Sequence, residues 1–452
     1  MGGAGRGAAY GCRPGRVNGE VRAGAPESVL APRTVRGYAA GMAPRFASPW
    51  LFFFLMIPFG VSSGYVSVTL ASLLGDNGVS VEEVLALGAI TAVPHMLKFL
   101  WSPVVDLTLS PKIWYVISAL LTAVMVALFG AFPADHSGLG PLSKIVFLSG
   151  LATTVVGMSV EILMAHGVAE EKKGQTSGWF MAGNVGGSAF GGGLGLLIAV
   201  RVPQQWMASV SIAALCAACC LALAWVPSPP LAPRGERVTV RLKRTLLDAW
   251  HTVRERRGLL ALILCVVPLG IGASSGSWSV IAPEWGASKD TVAIVTGILG
   301  GVVSTLGCIS GGFLADRWNR QAAYVGFGIV VSLSGVAMAL LPRTPEMFVV
   351  TTLLFSFAVG MSWAGYSAFV LEAIGKGAAA TKFSAFASLA NAPIYYMAVF
   401  NGWAHTAWKT SGMLYFEAAM SVLGAIVFII AAKVLLPARR TPGADAGATR
   451  TD

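Results

Sequence analysis

Charge is what this chain has least of. Only 12% of its 452 residues are Asp, Glu, Lys or Arg, while 55% are hydrophobic; a soluble globular protein carries roughly 25% charged residues. A water-soluble fold of this length has too little interior to hide so much apolar side chain, which excludes a cytosolic enzyme. Histidine is sparse, with five in the chain, and no zinc-type spacing of His and Cys occurs. The six cysteines (Cys12, Cys216, Cys219, Cys220, Cys265, Cys308) form no disulfide framework, because five lie inside apolar runs, where Cys behaves as a small hydrophobe. Cys216-x-x-Cys219-Cys220 has the spacing of a redox or metal pair, yet Ala and Leu surround it. A nucleophile elbow and a Walker loop are also missing: Gly191-Gly-Gly-Leu-Gly195 lies within an apolar run and lacks the Gly-Lys-Ser/Thr ending. These gaps argue against ATP-driven pumping by this chain alone. They lead us to expect no enzyme activity, no cofactor and no metal.

What the chain has in plenty is apolar length. About 20 such residues cross a bilayer as a helix, and the runs bounded by Pro, Gly and charge predict twelve segments. The first six cover approximately 50–73, 84–105, 113–132, 145–165, 178–200 and 206–226; the second six cover 259–282, 291–314, 322–341, 347–371, 384–404 and 413–436. Corresponding starts differ by 202 to 209 residues, the mark of an internal duplication. Six is even, so both copies enter the membrane from the same side. The expected fold class is an all-α polytopic membrane protein with 12 transmembrane helices in two parallel six-helix repeats.

The net charge of +11 is no sign of nucleic acid, because the basic residues sit on alternate loops. With the amino terminus inside, the outer loops hold only Lys144, Arg201, Lys289, Arg343 and Lys409. Lys98 and Lys433 lie within segments, and every other Lys and Arg falls on the inner side. The positive-inside rule then places both termini in the cytoplasm. Residues 1–49 read as a disordered basic tail, with Met42 as a candidate true start. Two six-helix bundles are expected over 50–226 and 259–436, with a cytoplasmic linker at 227–258 and a cytoplasmic tail at 437–452. The linker's Leu242, Leu246, Leu247 and Trp250 suggest a short amphipathic helix on the anionic inner leaflet.

Between segments 8 and 9, Gly312-Phe-Leu-Ala-Asp316-Arg317-Trp-Asn319-Arg320-Gln resembles the inter-helix signature of the major facilitator superfamily, Gly-x-x-x-Asp-Arg-x-Gly-Arg-Arg. Asn319 stands for the second Gly, and Asn also enters left-handed turns. Gly312 would permit close helix approach, while Asp316 ends a helix beside Arg317 and Arg320, a cluster able to latch one half against the other. Asp106 occupies the matching place in the first half, 210 residues earlier. The run Pro94-His95-Met-Leu-Lys98-Phe-Leu-Trp101-Ser-Pro103-Val-Val-Asp106 resembles the second-helix motif of AmpG-like muropeptide permeases, a group that also includes acetyl-coenzyme A transporters. Glu170-Glu-Lys-Lys-Gly174-Gln-Thr-Ser-Gly178-Trp and Ala380-Thr381-Lys-Phe-Ser384-Ala-Phe-Ala-Ser388-Leu-Ala-Asn391 resemble the same group. The resemblance implies the major facilitator fold and import of an anhydro-muropeptide, a related amino sugar or an acylated nucleotide carrier.

Segment 2 is informative without the resemblance. Thr91, His95, Lys98, Ser102 and Asp106 are spaced 4, 3, 4 and 4, along one side of an α-helix. At ~1.5 Å per residue Lys98 lies roughly 10 Å from the inner end and His95 roughly 15 Å. An ionised Lys at depth costs about 2.5–3.5 kcal/mol, so it should face a cavity or a partner, and Glu161 on segment 4 is the natural candidate. Lys98 either meets an anionic substrate group and switches partners, or sits in a fixed ion pair with Glu161 or Asp106. His95 is a proton relay or a packing residue after the Pro94 kink. Asn184 and Asn391, related by the repeat, touch substrate or bridge helices. Trp363 and Tyr366 suit a sugar-binding cavity or an interfacial belt. Gly183, Gly187, Gly191 and Gly195, spaced by four, make a flat face for close helix packing.

Together these features indicate a monomeric secondary transporter in the inner (plasma) membrane. It would move a polar or anionic small molecule by alternating access, with protons as the candidate coupling ion through His95, Lys98 and Glu161. Its partners are then the substrate and the bilayer. The competing class is a non-transporting sensor or scaffold on the same frame, which a packed apolar interface between halves would favour over a polar-lined crevice.

Overall fold

A computed structural model describes residues 46–228, 238–375 and 379–435. The readings of residues 1–45, including Cys12 and Met42, of Arg234 and Arg237 in the linker, and of the 437–452 tail fall outside the described residues. Every regular element among the described residues is helical. In chain order these are α1 (Leu51–Asp76), α2 (Val81–Leu97), α3 (Ser102–Leu107), α4 (Pro111–Phe129), α5 (Leu139–Gly167), α6 (Lys173–Ala189), α7 (Gln205–Trp225) and the linker helix α8 (Val238–Arg254). They continue as α9 (Arg256–Val266), α10 (Asp290–Arg317), α11 (Arg320–Leu340), α12 (Pro345–Ile374), α13 (Ala379–Leu389) and α14 (Ala392–Leu435). Eight stretches among the described residues are long and apolar enough to cross a membrane; the last, Ala379–Leu435, runs 57 residues.

Three segments that the sequence presents as continuous helices are broken, and a proline follows or flanks each break. In segment 2, α2 gives way to a 3₁₀ turn at Lys98–Leu100 before α3 begins. Pro103 has no N–H to offer the Phe99 carbonyl, and the Ser102 hydroxyl donates to that oxygen instead at 3.0 Å. The side-by-side stripe from Thr91 to Asp106 is therefore corrected to two short helices meeting at Lys98. In segment 7, α9 stops before Pro268, and Gly270 (φ 65°) and Gly272 (φ 69°) carry the chain through left-handed backbone. A β-carbon at Gly270 would lie 2.3 Å from Ser362 Oγ, so glycine is required there by both conformation and space. Segment 11 is likewise interrupted at Asn391, ahead of Pro393, and the turn into segment 12 uses Lys409 at φ 61°.

Glycine decides how closely the helices approach. Along α6 and its continuation, β-carbons on Gly183, Gly187 and Gly191 would fall 2.2, 2.4 and 2.1 Å from the carbonyl oxygens of Phe53, Ile57 and Val61 on α1, and one on Gly195 would fall 2.7 Å from Thr69 Oγ1. The two backbones touch along this whole line. Both helices then pass through a π turn, Tyr65–Leu70 and Phe190–Leu194. At one end of α6 a second contact joins it to α10: a β-carbon at Gly178 would sit 2.6 Å from the Cys308 carbonyl oxygen, and one at Gly312 would sit 2.7 Å from Gly178 Cα. The elements before and after the linker thus meet backbone to backbone. All five described cysteines are free thiols, four of them buried.

Candidate substrate cavity and the contacts that close one end

Charged side chains buried this deep need partners, and the structure supplies one at the break in segment 2. Lys98 Nζ lies 3.2 Å from Glu161 Oε1, with both side chains buried. The 3₁₀ turn at Lys98 aims the amine across to α5, and from α13 the Phe383 ring approaches it, 5.9 Å from nitrogen to ring centre. Glu161 Oε2 is buried and has no hydrogen-bond partner among the described residues. His95 packs edge-on against Phe59 and lies 3.4 Å from Thr153 Oγ1.

These groups line one cavity of about 310 Å³, bounded by α1, α2, α5, α6, α12 and α13. All seven residues singled out for substrate or ion binding lie on its wall: His95, Lys98, Glu161, Asn184, Trp363, Tyr366 and Asn391. Neither asparagine side chain makes a hydrogen bond among the described residues. The Trp363 and Tyr366 rings meet edge to face at 6.1 Å, and Tyr366 is buried, so a belt at the membrane interface does not describe them. Phe59, Phe180 and Phe383 also line the wall; in the sequence they look like any other buried aromatic. Tyr395 and Tyr396 of segment 11 are turned away, their hydroxyls on Met96 Sδ and the Val266 carbonyl.

Past the cavity one end of the molecule is shut by two matching contacts. The Asp316 carboxylate, at the C-terminus of α10, accepts hydrogen bonds from the backbone N–H groups of Gly174 (2.6 Å) and Gln175 (2.7 Å) in the first turn of α6. Asp106, in α3, accepts from the N–H groups of Ala380 (3.2 Å) and Thr381 (2.8 Å) in the first turn of α13, and from the Thr381 hydroxyl. Each places an anion on the unsatisfied donors and positive dipole end of a helix across the interface. Arg320 reinforces the first: it donates to Glu372 Oε2 at 3.0 Å, to Asp316 Oδ1 at 3.3 Å and to the Glu170 carbonyl at 2.6 Å. Gly312 lets α10 reach α6 there. Arg317, grouped with these residues in the sequence, is exposed and makes no ion pair among the described residues. The linker helix is tied to the same end, with Lys382 Nζ 2.8 Å from Asp248. At the opposite end a larger, mainly apolar cavity of about 550 Å³ lies between the π turns of α1, α6 and α10, and shares Val185 with the polar cavity.

The sequence profile of the Major Facilitator Superfamily matches residues 52–394. The chain belongs to the major facilitator superfamily. It is a multi-pass membrane transporter of that superfamily, and its curated relatives agree with the AmpG-like resemblance. It is 23% identical, over 364 residues, to the anhydromuropeptide permease of Escherichia coli strain K12, covering 75% of this chain and 71% of the relative, and equally to that of strain O157:H7. Among solved structures it is similar to the human organic anion transporter MFSD10 (TETRAN), with a TM-score of 0.63 at 14% identity over 84% of this chain and 98% of the other. It is also similar to the proton:xylose symporter XylE bound to 6-bromo-6-deoxy-D-glucose, with a TM-score of 0.58 at 14% identity over 84% and 95%. These structural likenesses speak for the fold.

One polar group of this major facilitator chain escaped the sequence reading. Glu417 on α14 is held by Asn401 and by the backbone N–H of Ser274, partners 16 and 143 residues away. No spacing pattern announces a lone carboxylate in an apolar segment.

Proposed function

We propose that this protein is a secondary transporter of twelve crossings in two parallel repeats. It carries an anionic amino sugar of the anhydro-muropeptide class inward across the inner (plasma) membrane by alternating access. The observation that carries this reading is the cavity at the interface of the two halves: His95, Lys98, Glu161, Asn184 and Asn391 converge on it with Trp363 and Tyr366, whereas a sensor frame calls for a packed apolar interface. Its volume falls at the low end of the ~300–1,000 Å³ of ligand sites, and the adjoining apolar cavity gives further room. With both termini cytoplasmic, as the loop charges support, the Asp106 and Asp316 contacts lie on the inner side. The conformation is then closed inside and open outside.

In this reading a substrate carboxylate takes Lys98 from Glu161. Asn184 and Asn391 serve sugar hydroxyl and amide groups, and Trp363, Tyr366 and Phe383 face the ring. Glu161, released from its cation, becomes the natural acceptor of a proton, with His95 beside it. Arg320 and the two aspartates would then part as the halves rock. The test is uptake of labelled anhydro-muropeptide by proteoliposomes under an imposed proton gradient, with thermal-shift screening against sugars, peptides and acyl-coenzyme A alongside. Saturable, gradient-dependent uptake supports the reading. Stabilisation by acyl-coenzyme A alone would move the protein to the acyl-carrier class, and binding without translocation would make it a sensor.

A further inference from the structure

Glu417 lies about 10 Å inside the end of its helix, counting from the turn at Lys409, well away from the polar cavity. Its Oε2 accepts two hydrogen bonds, from Ser274 N–H at 2.8 Å and Asn401 Nδ2 at 2.7 Å. It has no ion pair among the described residues. The carboxyl borders a cavity of about 10 Å³, room for one water molecule. The elements around that cavity present the hydroxyls of Ser274, Ser332 and Ser421 and the apolar Phe355, Met397 and Leu414, and Glu417 is the one charged side chain lining it among the described residues. Ser274 Oγ and Asn401 Oδ1 are buried with no hydrogen-bond partner among the described residues. A carboxylate inside a membrane without a cation is costly, and a proton on Oε1 removes the charge and supplies the donor that Asn401 Oδ1 lacks.

We infer that Glu417 is a proton-binding site separate from the Lys98–Glu161 cavity, and that its protonation controls the break in segment 7. Polar groups lie between it and the outer end, the side from which a proton would come. Glu284, partly exposed and paired with Arg343, accepts from the Thr410 hydroxyl, which lies 3.2 Å from His405 Nε2, and His405 is one helical turn from Asn401. The step breaks one O–H bond of a hydronium ion in outer water and forms one at Glu417 Oε1; its reversal returns the proton, and no other covalent bond changes. Ser274 N–H belongs to the segment that Gly270 and Gly272 break. The other face of this segment borders a small cavity lined by Tyr324, Ser362, Trp363 and Tyr366, of which Trp363 and Tyr366 also line the polar cavity. A neutral carboxyl is a weaker acceptor than a carboxylate, so protonation loosens Ser274 and with it the wall behind Trp363.

The inference deepens the proton-coupled reading and rests on it for its use in transport, but proton binding is measured without any substrate. Infrared titration of the purified full chain is expected to show one protonated-carboxyl band that Glu417→Gln removes and Glu161→Gln leaves in place. Protection from hydrogen exchange over residues 267–277, taken relative to the intrinsic exchange rate at each pH, should fall roughly tenfold on acidification in the unmutated protein and stay constant in Glu417→Gln. Persistence of the band in Glu417→Gln, or pH-independent protection in the unmutated chain, overturns the inference. So does thermal stabilisation by sodium over choline that Glu417→Gln abolishes, which assigns the site to a metal cation instead. Failure of anhydro-muropeptide uptake with this titration intact overturns the substrate reading alone.

Discussion

Lys98→Met isolates the charge at the centre of the cavity. The substitution keeps most of the stem and removes the ammonium, so Glu161 loses the one partner that Oε1 has, while Oε2 has none among the described residues. The two side chains are 8% and 2% exposed, and leaving one member of such a pair charged and alone costs about 3–5 kcal/mol. That is roughly a 10²- to 10³-fold drop in the folded-to-unfolded ratio at the lower end. The double variant Lys98→Met/Glu161→Leu removes both charges, and a well-packed apolar replacement is about neutral or stabilising by 1–4 kcal/mol. Thermal unfolding in detergent should therefore show Lys98→Met well below the unmutated chain and the double variant restored. Uptake should be absent in both, because the ammonium that meets the substrate is gone from each. The refuting result is a double variant that transports at the unmutated rate. The pair would then be a structural brace, and the cavity would need another anion receptor. A Lys98→Met protein that melts with the unmutated one would show instead that Glu161 takes up a proton once its cation is gone.

The closed end yields three further expectations. Gly178→Leu forces a side chain into the Cys308 and Gly312 backbone, an overpacking of about 1–3 kcal/mol, and should open that end; Cys308, fully buried here, then becomes reactive to maleimide, as read by mass spectrometry, whereas continued protection would deny that this contact holds the ends together. Asp106→Asn and Asp316→Asn each withdraw an anion from a helix N-terminus, worth about 0.3–1 kcal/mol and up to ~2 when partly buried; the double variant should raise Cys308 labelling above either single one, and equal labelling in all three would show that the two contacts do not act together. Asp248→Ala removes a carboxylate that is 42% exposed but leaves Lys382, 5% exposed, with the Ile374 carbonyl as its acceptor, so the melting temperature should fall, and an unchanged melting temperature would show that the linker helix does not help to hold this end.

How far the sequence could be read depended on whether a residue's requirement was local. A buried lysine must have a partner, so Lys98 pointed to Glu161 before any coordinates, and the four-residue glycine spacing pointed to a helix face that needs close contact. The same logic grouped Asp106 with Asp316, although their actual partners, the first turns of α13 and α6, are backbone groups that no side-chain pattern displays. The second-segment stripe misled in its geometry, because helical spacing assumes an unbroken helix and Pro103 does not permit one. For Trp363 and Tyr366 the sequence leans to an interfacial belt, because they fall near the inner end of their segment and an aromatic with a polar tip suits either setting; the packing of α12 against α6 and α13 turns them to the cavity.

The sequence by itself determined the solvent: so few charges on so much apolar length leave only a bilayer. It also determined the helical fold class, through apolar runs repeated at a near-constant offset. Tertiary structure decided where helices stop being helices and which polar groups share a space. Gly270 and Gly272 take left-handed backbone because Ser362 and Val359 fill the space where side chains would go, and Glu417 meets Ser274 only after 143 residues of intervening chain have folded back. Those facts belong to contacts between distant parts of the chain, and periodicity records only what neighbours along one helix require.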